Sequence, residues 1–345
     1  MDLINLHDYE TAAQACIERT AWDYYQGGSD DEVTVRANRA AFERIRLRPR
    51  MLVDVSSIDL STTVLGTAIS MPVLAAPTAY HRLAHDEGEC ETARGVGAAA
   101  TLMVLSTFST RSLEDVAACA SGPLWLQLYT YGSLQRAEVL IKRAEDAGYR
   151  AVAVTVDTPR LARREKDIRN QFRLPPGMHI AHLTAQEQNQ HYIPEPLPLT
   201  WQDIDYLRSI TSLPILLKGI LTAEDALLAV ERGIEGIIVS NHGGRQLDGA
   251  LAGIEALPEV AGAVAGRCEV YMDGGIRRGT DILKALALGV RAVLVGRPIL
   301  WGLAVNGAPG VHHVLEILRR ELELAMALSG RPTLASIDRS LVQVM

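Results

Sequence analysis

From Pro72 onward the chain repeats a rhythm of short apolar runs, and this rhythm constrains the fold more than any other feature. The runs are Val73-Leu74-Ala75-Ala76, Leu102-Met103-Val104-Leu105, Leu124-Trp125-Leu126-Gln127-Leu128, Val152-Ala153-Val154-Thr155-Val156, Ile215-Leu216-Leu217, Ile237-Ile238-Val239, Val270-Tyr271-Met272 and Ala292-Val293-Leu294-Val295. Each is short enough and sufficiently apolar to be a strand buried on both faces. Between most of them lies an amphipathic segment, such as Leu134 to Ala147 or Thr222 to Arg232, ended by Gly148 and Gly233. Strand and helix in alternation mean parallel strands, because parallel neighbours need a crossover connection. Eight such units predict an α/β chain folded as a (β/α)8 TIM barrel. An open doubly wound sheet is the alternative, since periodicity does not show closure.

The flanks read differently. Tyr9, Ala12, Ala13, Cys16 and Ile17 share one helical stripe, and the helix is expected to run on through Trp22-Asp23-Tyr24-Tyr25 to Gly27-Gly28. A second helix is expected after the acidic start Ser29-Asp30-Asp31-Glu32. Arg46-Leu47-Arg48-Pro49-Arg50 breaks the pattern, and Leu60 to Ile69 reads as a short hairpin. The one long gap, between Asp157 and Pro214, holds Leu174-Pro175-Pro176-Gly177 and a polar, proline-rich run from Ala185 to Pro198. A loop of that length after the fourth strand reads as a lid. A closing helix is expected from about Gly310 to Leu328. Residues 1–345 are thus read as one domain: N-terminal helices over about 6–45, a barrel over about 72–320 and a lid-like loop over about 173–200.

Composition excludes several functions. A 37.5 kDa chain that is 48% hydrophobic and 22% charged has a substantial core. A net charge of −7 provides no basic footprint for nucleic acid. Cys16, Cys90, Cys119 and Cys268 are scattered, without C-x-x-C spacing, and read as buried fillers in a reducing compartment. Met1-Asp2-Leu3-Ile4-Asn5 is no signal peptide, no stretch is long and apolar enough to span a bilayer, and Leu341-Val342-Gln343-Val344-Met345 is no peroxisomal address. The expectation is a cytoplasmic protein with neither membrane nor nucleic-acid partner.

Reactive residues gather where the runs end. Ser240-Asn241-His242-Gly243-Gly244-Arg245-Gln246-Leu247-Asp248 follows the sixth run. An imidazole can take a proton near neutrality, and a guanidinium can grip a carboxylate through two hydrogen bonds. This reads as an active-site loop with His242 as base and Arg245 as anchor for an acid; a solvated polar loop is the plain alternative. Other run ends supply Pro77-Thr78-Ala79-Tyr80, Ser106-Thr107-Phe108, Gln127 and Tyr129, Thr155 and Asp157, Lys218, Asp273-Gly274-Gly275-Ile276-Arg277 and Gly296-Arg297. Thr107 and Gln246 are better read as structural. Gly274-Gly275 and Gly296-Arg297, after strands seven and eight, lie where barrels bind phosphate. Lys218 has nothing acidic beside it in sequence and could stabilise negative charge on a reduced flavin or form a Schiff base. Gly95-Val96-Gly97-Ala98-Ala99-Ala100 imitates a dinucleotide fingerprint, but it ends a helix and precedes a strand, the reverse of the required order. It reads as close helix packing. His81 and His85 have helical metal-ligand spacing but no third ligand, so no metal is assigned.

With these residues in place the chain resembles the FMN-dependent 2-hydroxy-acid oxidases, which include glycolate, lactate and hydroxymandelate oxidases. The resemblance runs from Tyr24 to Met326-Ala327-Leu328-Ser329-Gly330 and rests on the Ser240–Asp248 motif, on Asp273-Gly274-Gly275-Ile276-Arg277-Arg278-Gly279 and on Thr155-Val156-Asp157. It implies FMN across the barrel mouth, with Ala76, Pro77 and Thr78 lining the ring and Ser106, Gln127 and Thr155 on its polar edge. Lys218 would stabilise the reduced flavin with Ser240 nearby; Asp273 and Arg277 would meet the ribityl chain, and Gly274, Gly275, Gly296 and Arg297 would serve the ribityl phosphate end. It further implies that Arg164, Arg245 and Tyr24 bind the substrate carboxylate, that Tyr129 touches the hydroxyl, and that His242, oriented by Asp157, is the base. Electrons would leave as hydride or after a carbanion, and O2 would become hydrogen peroxide. A homotetramer or homo-octamer is also implied.

Departures refine the substrate. Phe108 stands where plant glycolate oxidases carry tryptophan, so a roomier pocket is expected. Ile4-Asn5-Leu6, Met51-Leu52-Val53-Asp54-Val55 and Trp301-Gly302-Leu303-Ala304-Val305 resemble cyanobacterial lactate oxidases, whereas Tyr80-His81 and Pro123 to Tyr129 resemble hydroxymandelate oxidases. The loop before Trp201 is shorter than in plant relatives, which weakens a lid role for Tyr192. Ala79 matches the oxidase-type residue beside the flavin, no haem domain precedes the barrel in these residues, and no apolar membrane segment interrupts the Asp157–Pro214 gap. An (S)-2-hydroxy-acid oxidase acting on L-lactate is expected, with larger or aromatic 2-hydroxy acids, glycolate, and a quinone-type acceptor as alternatives.

Overall fold

The apolar runs are the staves of a closed cylinder. In the computed structural model, which describes residues 2–183 and 196–345, twelve strands occur among the described residues. They are β1 (Ile45–Leu47), β2 (Thr62–Val64), β3 (Thr67–Ile69), β4 (Val73–Ala75), β5 (Met103–Ser106), β6 (Leu124–Leu128), β7 (Val152–Thr155), β8 (Ile215–Ile220), β9 (Gly236–Val239), β10 (Glu269–Asp273), β11 (Ala292–Val295) and β12 (Val342–Val344). Strands β4 to β11 pair in parallel in chain order, and β11 closes on β4 through Val293–Val73, Leu294–Leu74 and Val295–Ala75. Closure makes this a TIM barrel.

Strand periodicity sorts its side chains. Leu74, Val104, Trp125, Ala153, Leu216, Ile238, Tyr271 and Leu294 point inward and fill the cylinder, with Trp125 edge-on to Tyr271. Val64 and Ile69, from the predicted hairpin β2–β3, join that cluster and plug one end. Alternate residues such as Val73, Ala75, Met103, Leu105, Leu126 and Leu217 pack against the surrounding helices. The crossover helices Leu134–Asp146 and Ala223–Glu231 sit where the amphipathic pattern put them, each started by a side-chain cap, Ser133 and Thr222.

The flanks depart from the sequence reading. The expected single N-terminal helix is two, Leu6–Cys16 and Arg19–Gln26. Ile17 is extended, and the Glu18 carboxylate caps the second helix by accepting from the amides of Thr20 and Ala21. A hydrophobic stripe cannot reveal such a break when a carboxylate restarts the helix one residue later. The helix after the acidic turn is Val33–Glu43. Arg46 and Leu47, read only as a break, belong to β1, which pairs antiparallel with β12 at the other end of the chain. The closing helix is one element, Arg297–Leu328, kinked at the non-helical residues Asn306 and Gly307, so its first half went unanticipated.

Among its described residues the gap after β7 carries the helices Glu165–Arg169 and Trp201–Ser209. Its described ends are pinned to neighbouring strand ends, with Ala181 N–H donating to Ser109 O and Leu197 N–H to Thr130 O. Tyr192 lies outside the described residues. The glycine-rich decoy is indeed packing: a Cβ on Gly95 would lie 2.5 Å from Ala308 O, and one on Gly97 2.8 Å from Gly122 N. His81 is buried, bonded to Thr78 Oγ1 and Thr92 Oγ1. No helix among the described residues is long and apolar enough to cross a membrane.

Candidate active site

At the C-terminal ends of the barrel strands lies a cavity of ≈ 310 Å3. Of the residues the sequence pointed to, Tyr24, Ala76, Pro77, Thr78, Ser106, Phe108, Gln127, Tyr129, Thr155, Arg164, Lys218, His242, Arg245, Asp273, Gly274, Gly275, Arg277, Gly296 and Arg297 line it. Asp157 and Ser240 do not; they stand behind the wall and hold residues that do. Strand register explains the convergence, because Ser106 pairs with Gln127 and Thr155 with Lys218 across adjacent strands. The result is a polar strip: Ser106 Oγ donates to Gln127 Oε1 at 3.1 Å, and Gln127 Nε2 donates to Thr155 Oγ1 at 2.9 Å.

His242 occupies the strip's far side. Its Nδ1 lies 2.9 Å from Asp157 Oδ1, which assigns the proton to Nδ1 and leaves Nε2 as an acceptor, bonded by the Tyr129 hydroxyl at 3.1 Å. Burial lowers the imidazole pKa below its ordinary value, with Asp157 partly opposing that shift. Burial also works to raise Asp157, but His242 and Lys218 outweigh it and hold the carboxylate below its usual range. The pair is therefore a neutral imidazole on an ionised carboxylate. Burial raises Tyr129, which stays a phenol. Gln246 Nε2 donates to the carbonyls of Asp157 and Arg160, and Thr107 Oγ1 donates to Gln127 O, so both are structural as expected.

Lys218 has a different setting from the one its sequence neighbours suggest. Asp273, from β10, lies 3.1 Å from its Nζ. Burial would lower the ammonium pKa, but Asp273 and Asp157 together raise it. An ammonium paired with a carboxylate in this way offers a fixed positive charge, which favours charge stabilisation over a Schiff base. Asp273 is likewise committed, since Ser240 Oγ donates to its other oxygen at 2.7 Å.

At the opposite end three guanidiniums crowd together with backbone carbonyls as their partners. Arg297 donates to the carbonyls of Tyr25, Gln26, Gly27 and Gly243, Arg245 to those of Tyr24 and Gly27, and Arg277 to that of Ile276. Burial, reinforced by Arg245 and Arg277, pushes Arg297 down to about 9, and burial pushes Arg277 down to about 10. Buried cations whose hydrogen bonds go to neutral carbonyls, and whose burial Asp167 and Glu32 offset only in part, form a site that calls for an anion. Arg164 donates to the Arg245 carbonyl from the start of helix Glu165–Arg169.

The remaining wall is aromatic. Arg245 lies over the Tyr24 ring at 4.8 Å, and Tyr24 stacks on Phe172 at 4.4 Å. Phe108 is buried between Tyr129 and Tyr131, each 5.1 Å away, with Tyr80 at 5.9 Å. Phe172, Tyr25, Asp167 and Leu300 line the cavity without having been singled out. Phe172 follows a five-residue helix inside the long gap, where no periodic pattern marks it.

A family model described as FMN-dependent dehydrogenase matches residues 13–344. The chain is 51% identical to an L-lactate oxidase of Nostoc sp., over 99% of this chain and 98% of that protein. It is 50% identical to glycolate oxidase 1 of Oryza sativa subsp. indica, over 98% and 95%. Among solved structures, a mandelate oxidase variant with (S)-mandelic acid superposes with a TM-score of 0.94 at 43% identity, covering 100% of this chain and 99% of that one.

Proposed function

The chain belongs to the FMN-dependent dehydrogenase family and oxidises 2-hydroxy acids; we propose that its preferred substrate is L-lactate and that its electron acceptor is O2, reduced to hydrogen peroxide. The observation that carries the reading is His242 on the cavity wall, backed by Asp157, beside arginines whose hydrogen bonds go to backbone carbonyls.

The cavity suits FMN. The cation cluster at Arg277 and Arg297, with the backbone around Gly274, Gly275 and Gly296, would hold the phosphate, and Ser106, Gln127, Thr155 and Lys218 would meet the polar edge of the ring. When bound, FMN accepts two electrons from the carbinol and passes them to the acceptor. Arg245 and Arg164 would grip the substrate carboxylate, a pairing that needs two planar guanidiniums near one another. Tyr129 O–H, which donates to His242 Nε2, would turn to the substrate and orient its hydroxyl. His242 Nε2 then takes the carbinol proton, and the Asp157 carboxylate stabilises the imidazolium so formed. Lys218 supplies positive charge where electrons accumulate.

The decisive experiment is the visible spectrum. A yellow protein bleached anaerobically by L-lactate supports the reading; a colourless protein unable to bind added FMN overturns it. Turnover several-fold better on glycolate than on L-lactate removes lactate as the preferred substrate. Peroxide released under air supports O2, and turnover with quinones or dyes alone refutes it. A second reading, a larger or aromatic 2-hydroxy acid, is favoured by the wall of Tyr24, Phe108, Tyr129 and Phe172 and would appear as faster bleaching by (S)-mandelate.

A further inference from the structure

The sequence reads the cysteines as buried fillers, but the fold brings two of them together on the outside of the barrel. Cys90 lies in helix Glu89–Ala98, which leads into β5, and Cys119 ends helix Leu113–Cys119, which follows that strand. The helices touch through these residues in both directions. Cys90 Sγ donates to the carbonyl of Asp115, one helical turn before Cys119, at 3.7 Å. Arg94, one turn after Cys90, donates from Nη2 to Cys119 Sγ at 3.7 Å. Burial pushes the Cys90 thiol up to about 12, and the neighbouring Cys119 sulfur adds to that rise.

The two sulfurs differ in what they can do. A thiolate, not a thiol, attacks an oxidant. Cys90 is buried and held as a thiol. Cys119 is half-buried, and Arg94, whose other arm bonds Glu91 at 2.6 Å, sets positive charge beside its sulfur. That charge stabilises negative charge on the sulfur as it attacks. A half-buried sulfur beside a guanidinium, with a second sulfur behind it, is the arrangement of an attacking and a resolving thiol.

We propose that Cys90 and Cys119 form a modification site, a dithiol that hydrogen peroxide closes to an intrachain disulfide. The Cys119 thiolate attacks one peroxide oxygen: an S–O bond forms, the O–O bond breaks, and the departing hydroxide takes up the proton lost from Cys119 to become water. Cys90 sulfur then attacks Cys119 sulfur: the S–S bond forms, the S–O bond breaks, and the departing hydroxide takes the Cys90 proton as a second water. Each sulfur gives one electron and the peroxide accepts both. Peroxide is the product of the oxidase reaction proposed above, so the oxidant arises on the same molecule; the site itself does not depend on that reading.

In the test, reduced holoenzyme is treated with hydrogen peroxide and mapped by mass spectrometry of its tryptic peptides without reductant. The expected product is Leu83–Arg94 joined to Ser112–Arg136, lighter than the two free peptides by two hydrogens and separated by dithiothreitol. Exposed Cys16 is the internal standard, and the pair should react at least about tenfold faster. Cys119→Ser should abolish the link and leave Cys90 a thiol. Cys90→Ala should leave Cys119 as a sulfenic acid that dimedone traps. Neither cysteine lines the cavity, so Cys119→Ser should keep its FMN and its bleaching by L-lactate. Oxidation of Cys16 while Cys90 and Cys119 both stay thiols overturns the proposal, as does a link from either of them to Cys16 or Cys268 instead. If a variant does not fold, the wild-type map decides: the linked peptide supports the proposal, and its absence overturns it. Failure of wild type to release peroxide under air removes O2 as acceptor and leaves this inference standing, because the peroxide here is added.

Discussion

Arg297 poses the sharpest physical question of any single residue, because it is surrounded by carbonyls and by two other cations. Arg245 and Arg277 disfavour its charge, and the FMN phosphate proposed to bind here would turn the cluster into a source of affinity. Arg297→Leu should therefore act with opposite signs on the two forms. FMN binding should weaken about 10- to 100-fold, as for a lost charge-assisted hydrogen bond. The apoprotein should melt no lower than wild-type apoprotein, because a source of repulsion has gone. Flavin titration and thermal unfolding with and without FMN check both signs. His242 yields a pH prediction. Its pKa lies below 6.5 because burial disfavours the imidazolium more than Asp157 favours it. The base is competent only when neutral, so kcat/KM should be flat at neutral pH and fall on the acid side, through an inflection below 6.5. An inflection above 6.5 would contradict the balance of burial and charge. His242→Ala should keep the yellow colour and lose about 10²–10⁴-fold in bleaching rate. These residues were legible in sequence because strand ends advertise them: His242, Arg245, Asp273 and Arg297 each follow an apolar run within a few positions. Phe172 was not, because a side chain on an irregular loop has no period to betray it.

Among the elements, β8 does something its sequence hides. Its ladder with β9 slips between Lys218 and Ile220, and Gly219 at the slip has φ +114°. Such a bulge re-aims the neighbouring side chain. Here it also makes room, since a Cβ on Gly219 would stand 2.5 Å from Asp157 Cβ and 2.9 Å from Asp157 N. Gly219→Ala should destabilise the fold by about 1–3 kcal/mol. It should also displace Asp157, so bleaching should slow far more than FMN binding weakens; equal losses in both would mean that the strand had merely unravelled. Helix Val33–Glu43 has a related role. A Cβ on Gly244 would lie 2.7 Å from Val35 N, and Asn38 exchanges hydrogen bonds with Asn241 at 2.8 and 2.9 Å. The glycines of the active-site motif thus serve backbone shape and close packing against the N-terminal helices. The proposed phosphate site is the one at the arginines. No sequence pattern points to the partner that enforces this, because Val35 is about 200 residues away in the chain.

At the scale of the whole molecule the C-terminal strand returns to the N-terminal flank of the barrel. Ile45, Arg46 and Leu47 pair with Val344, Gln343 and Val342, and β1 directly follows the helix that carries Asn38 to the active-site loop. Deleting Val342–Met345 removes this strand pairing and the burial of Val342. The loss of the buried side chain alone is about 1.5–3 kcal/mol. Thermal unfolding should show a lower Tm with FMN still bound, since no cavity-lining residue lies in the deleted segment. Loss of FMN on deletion would show that the clamp reaches further into the site. The sequence by itself determined the eight alternating strand and helix units and the reactive residues at the strand ends, because these follow from local periodicity and from motifs placed where the apolar runs stop. Tertiary structure alone decided closure, the break at Ile17, the pairing of β1 with β12, the acid beside Lys218 and the hydrogen bond from the His242 amide to Ser240. Most of those depend on contacts between residues far apart in the chain. Periodicity reports which face of an element is buried, and it carries no information about the partner that buries it.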